Sequence, residues 1–91
     1  MVARTILVVD DEPVIRQSVA EALAGEGHRV VEAADGAAAL ASLRSHNPEL
    51  VLLDVMLPGL SGVEVCRLIR TESRVPIILL TARDAEADKV L

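Results

Sequence analysis

Ninety-one residues, 52% of them hydrophobic, allow one small domain with a modest core, and the absence of Phe, Tyr and Trp means that Val, Leu, Ile and Ala must fill it. Nine Lys and Arg against fourteen Asp and Glu give a formal net charge of −5, which argues against a nucleic-acid surface in this segment and favours binding of cations. The single cysteine, Cys66, offers no internal disulfide, and the apolar run before Asp10 is too short for a signal peptide or a membrane span, so the expectation is a soluble, cytoplasmic segment with no membrane contact.

Thr5 to Val9 is a β-branched and aliphatic run stopped by charge at Asp10, the pattern of a strand buried on both faces of a parallel sheet. Pro13 suits the first turn of a helix, and Ile15, Val19 and Leu23 follow at a spacing of four until Gly25 and Gly27 end it. Arg29 to Ala33 reads as a second strand. Asp35, followed by Gly36, is a candidate N-cap for a helix over Ala37 to Arg44. Leu50 to Leu53 is again an unbroken apolar run ended by an acid, Asp54. Pro58, Gly59 and Gly62 mark a loop, and Ser61 with Glu64 makes a capping box before Val65, Leu68 and Ile69. Ile77 to Leu80 forms a fourth strand ending in Thr81, and Asp84 to Leu91 begins a fourth helix.

Strands and helices that alternate at this length require a parallel sheet with right-handed crossovers and helices on both faces. Ligands then sit beyond the carboxyl ends of the strands, near the point where strand order reverses. Asp10, Asp11, Asp54 and Thr81 all fall at such ends. Three carboxylates on one sheet edge repel each other unless a cation compensates, and an oxygen-only cluster without His or Cys favours magnesium over zinc. With charge neutralised in this way, Asp54 is placed to accept a phosphoryl group as an acyl phosphate, and the Thr81 hydroxyl to hydrogen-bond a phosphoryl oxygen beside the small Ala82.

Ile6 to Glu12 (ILVVDDE), Leu50 to Gly62 (LVLLDVMLPGLSG) and Ile77 to Arg83 (IILLTAR) together resemble the receiver domain of two-component response regulators over essentially the whole chain. The resemblance implies a flavodoxin-like, doubly wound α/β fold with strand order 2-1-3-4, residues 1–91 being the N-terminal part of a receiver. It makes Asp54 the phosphoacceptor, Asp11 a direct magnesium ligand, Asp10 a ligand through water, the Met56 backbone carbonyl a third protein ligand and Thr81 the switch hydroxyl. Pro58 and Gly62 would shape the loop after the acceptor. It further implies a sensor histidine kinase as phosphodonor and a signalling rather than enzymatic role, with an output domain not present here. Residues Thr81 to Leu91 look like receivers joined to a winged-helix DNA-binding domain, so that output would be transcriptional.

A complete receiver continues to a fifth strand bearing a lysine, a switch aromatic and a fifth helix, none of which this chain contains. Lys89, inside the expected fourth helix, is not a substitute. A sheet that stops at its fourth strand would expose an edge, and self-association through that edge or the helix-four face is expected. The competing reading from another class is a small phosphohydrolase-like enzyme with Asp10 as nucleophile, although that class wants an Asp-x-Asp pair where here the two acids adjoin. Taken singly, Asp10 and Asp11 could be helix caps, Asp54 a turn residue, Thr81 a strand terminus and Met56 loop packing. Cys66 reads as a core filler, and His28 and His46 as solvated loop residues.

Overall fold

The computed structural model describes residues 3–80. Four strands, β1 (Thr5–Val9), β2 (Arg29–Ala33), β3 (Leu50–Asp54) and β4 (Ile77–Leu80), alternate with three helices, α1 (Pro13–Gly25), α2 (Gly36–His46) and α3 (Gly62–Arg70). All strand pairs are parallel and the order is β2-β1-β3-β4, as the 2-1-3-4 expectation requires. The order reverses between β1 and β3, which pair from Ile6 opposite Leu50 to Val9 opposite Leu53. The expected fourth helix, together with Thr81, Ala82 and Lys89, lies outside the described residues.

The core is aliphatic throughout. Leu7, Val9, Val51 and Leu53 of the two central strands are buried against Ala39 and Leu43 of α2 and Val65 and Ile69 of α3. Each fully buried Leu, Ile or Val side chain contributes roughly 1.5–3 kcal/mol of transfer free energy, which keeps the central strand pair in register. On the opposite face α1 is less deeply seated, with Ala20 its one buried residue. Val19 and Leu23 are half-buried as their spacing predicts, but Ile15 is 39% exposed.

Local chemistry sets the helix ends. Asp35 accepts from the Ala38 N–H and Ser61 from the Glu64 N–H, so both expected N-caps are in place. Helix α2 closes on Asn47 in the left-handed conformation (φ 46°), one of the few non-glycine residues that tolerates it. Cys66 is half-buried against the core, His28 is half-buried and accepts from the Arg4 N–H, and His46 is exposed.

An exposed bidentate pair, Arg44 Nε and Nη2 to the Glu72 carboxylate at 3.0 and 2.6 Å, ties α2 to the segment after α3. The hydrogen bond from Arg44 holds the Glu72 carboxyl below its ordinary range, against a smaller desolvation effect, and the same hydrogen bond raises Arg44. Because the folded value is the depressed one, the pair's contribution is complete above the ordinary carboxylate range and is lost as pH falls through the Glu72 value. Urea midpoints of the parent and Glu72→Gln should therefore converge on acidification, with the parent the more stable at neutral pH.

Gly62 lies against the backbone that follows β3. A Cβ there would stand 2.4 Å from the Asp54 carbonyl oxygen and 2.6 Å from Val55 Cα, neither of which can step aside as a side chain can. Gly62→Ala should cost about 1–3 kcal/mol in urea unfolding, the usual penalty of overpacking.

Candidate functional site

Parallel pairing places Asp54 at the last position of β3, and the residue after β1 is Asp10, so both acids emerge at the same edge. Asp10 is fixed through its backbone as well as its side chain. Its N–H donates to the Ala33 carbonyl at 3.1 Å, its carbonyl accepts from Arg16 Nη1 at 2.8 Å, and its Oδ1 accepts from the Glu12 N–H at 2.9 Å. The N-cap of α1 is Glu12, with no side-chain cap bond.

Asp54 is 5% exposed, the one buried charged residue among those described. Its Oδ1 accepts from the Met56 N–H at 3.0 Å, which turns the chain immediately after the strand, while the Met56 side chain is 58% exposed. The turn is held further by Val55 N–H to the Leu80 carbonyl at 3.0 Å and Gly62 N–H to the Val55 carbonyl at 2.8 Å. Pro58 and Gly59, which has φ 77°, carry the chain around to Ser61. Thr81 lies outside the described residues. Leu80 before it is paired with Asp54.

Asp10, Asp11 and Asp54 each offer a carboxylate oxygen, and the three oxygens lie within 4.8 Å of one another. Two of the acids are half-buried and the third buried. Magnesium takes oxygen ligands at about 2.0–2.1 Å and keeps several waters, so carboxylate oxygens gathered this closely could share one ion directly or through its waters. Oxygen donors with no imidazole or thiolate suit a hard cation. A largely apolar cavity of about 90 Å³ adjoins the acids, with Val8, Val9, Ile15, Val19, Leu52 and Leu80 lining it together with Asp10 and Asp54. Arg16 was not among the residues that motif reading singles out. Its sequence signal is a charged residue three and four positions before the apolar Val19 and Ala20, on the face of α1 that is buried.

Residues 6–91 match the family described as response regulator receiver domain. The DNA-binding response regulator MtrA of Mycolicibacterium smegmatis is 48% identical over 86 residues, which cover 94% of this chain and 38% of that protein. The chain thus spans well under half the length of the curated relatives it matches. Among solved structures, the response regulator protein TrrA of Thermotoga maritima in complex with Mg2+-BeF superposes with a TM-score of 0.82 at 46% identity, over 89% of this chain and 71% of that one. TrrA in complex with the histidine kinase ThkA gives a TM-score of 0.80 at the same identity and coverage.

Like charges within 4.8 Å of one another repel by roughly 1 kcal/mol or more per pair even with water-like screening. Asp54→Asn, which keeps the acceptor for the Met56 N–H, should raise the urea midpoint when no divalent cation is present. Added Mg2+ should stabilise the parent, by about 2.7 kcal/mol at a hundredfold excess over Kd, and stabilise the variant much less.

Proposed function

Since the chain belongs to the response regulator receiver domain family, we propose that it takes a phosphoryl group from a sensor histidine kinase onto Asp54 and so controls an output, in the manner of the DNA-binding regulators it is similar to. The observation that carries the reading is the convergence of the Asp10, Asp11 and Asp54 carboxylates on one sheet edge. A bound Mg2+ supplies charge neutralisation for an incoming phosphoryl group. Asp54 and Asp11 hold the ion directly, Asp10 through water, and the Met56 backbone carbonyl completes the protein's share.

Asp54 supplies the nucleophilic oxygen. Its carboxylate attacks phosphorus, the bond from phosphorus to the donor breaks, and the product is an acyl phosphate on Asp54. The Met56 N–H on Oδ1 helps hold the carboxylate in one orientation, so that little orientation is lost on the way to an in-line geometry. The Thr81 hydroxyl, next in the chain after the β4 residue paired with Asp54, hydrogen-bonds a phosphoryl oxygen and acts as the switch.

The structure of TrrA with the histidine kinase ThkA supports a kinase as the phosphodonor. TrrA with Mg2+-BeF supports the metal. The module is a signalling switch whose only catalysis is its own phosphorylation and dephosphorylation. Among the described residues no helix is long and apolar enough to cross a membrane, and the reading places the work in the cytoplasm.

Incubation with acetyl phosphate should add the mass of one phosphoryl group with Mg2+ present and none after chelation. Asp54→Asn should abolish the gain. Peptide mapping that found the label on Asp10 would instead support the phosphohydrolase-like reading and overturn this one.

A further inference from the structure

Arg16 lies in the second turn of α1, yet its side chain is only 15% exposed and its donors point back to the sheet. Nη1 donates to the Asp10 carbonyl at 2.8 Å and Nε to Glu32 Oε1 at 3.0 Å. Glu32 belongs to β2, paired one residue before Ala33, whose carbonyl accepts the Asp10 N–H. The guanidinium thus closes a ring that runs from the end of β1 through α1 to the end of β2.

The bond to the Asp10 carbonyl acts on both half-buried acids of the cluster. That carbonyl belongs to the peptide unit joining Asp10 to Asp11, and the unit is planar. Holding its oxygen limits ψ of Asp10 and φ of Asp11 together, and these set the directions of both Cα–Cβ bonds. The same group brings a largely desolvated positive charge to the backbone that joins Asp10 to Asp11. A planar fork with donors on two separate nitrogens can span two acceptors in this way, whereas a lysine offers one compact charge.

We propose that Arg16 is a positioning residue for the metal site, clamping the Asp10–Asp11 peptide to Glu32 so that the two acids are aimed at the cation held with Asp54. The inference rests on the phosphoacceptor reading above. Groups around a metal that orient its ligands from outside contribute about 10–100-fold to affinity.

The test is calorimetric titration of the 91-residue chain with MgCl2, since it has no tryptophan to report binding by fluorescence. Labelling rates with acetyl phosphate at low and saturating Mg2+ accompany it. Arg16→Met should raise the Kd for Mg2+ about tenfold, with the labelling rate restored at saturating Mg2+. Arg16→Lys should recover only part of the affinity. Glu32→Gln, which weakens one arm of the clamp and leaves the carbonyl bond, should shift the Kd in the same direction by less, and it carries the test should circular dichroism find Arg16→Met unfolded. Unchanged affinity in the folded Arg16→Met chain, full affinity in Arg16→Lys, or a folded Arg16→Met whose rate deficit persists at saturating Mg2+ would each overturn the clamp while leaving the phosphoacceptor reading standing. A parent chain that binds no Mg2+ would overturn both.

Discussion

Everything at this site depends on the parallel pairing of β1 with β3. Neighbouring strands lie about 4.8 Å apart, and with Val9 opposite Leu53 the acids that follow must emerge side by side. Mutual repulsion works against that arrangement. It is held by the aliphatic core behind it, where Leu7, Val9, Val51 and Leu53 are almost wholly out of water. A slip of one residue would turn those side chains to the wrong faces, so the burial that stabilises the fold is also what keeps like charges together.

The loops at that edge are held as tightly as the strands. Close approach of α3 to the chain after Asp54 is possible only because position 62 has no side chain, and the contact is between backbone atoms. A similar approach occurs at Gly36, where a Cβ would stand 2.8 Å from a Val65 methyl group at the junction of α2 and α3. Side-chain caps at Asp35 and Ser61 satisfy the first turns of the two helices. Together these features leave the backbone around the buried acid little freedom, and a preorganised carboxylate needs little reorganisation when it reacts.

Charge is distributed unevenly around the acids. The Arg16 guanidinium is held against the Asp10 carbonyl and largely desolvated, whereas the other ion pairs among the described residues, Arg4 with Glu49, Arg44 with Glu72 and Arg67 with Glu64, are solvent-facing. Exposed pairs of that kind contribute little, because water screens them and long side chains lose entropy in making them. Arg16 differs in that its partners include a backbone carbonyl at the site itself.

Element order, strand limits and two helix caps were legible in the sequence because each rests on local rules. Apolar runs ended by charge mark buried parallel strands, and Asp35 and Ser61 bond to amides three residues away. The convergence of Asp10, Asp11 and Asp54 was legible too, since all three stand at the carboxyl ends of neighbouring strands. Local pattern could not decide how deeply α1 would sit, that Asp10 would fold back onto the Glu12 amide instead of capping the helix, or that Arg16 would turn inward. Those outcomes depend on partners that only the assembled sheet brings near: Glu32 is sixteen residues from Arg16 in the chain and becomes its neighbour because β2 pairs with β1. The amino-acid order determined which groups were available and which strands would carry them, while the distances between them came from tertiary packing, since burial acts on residues remote in sequence.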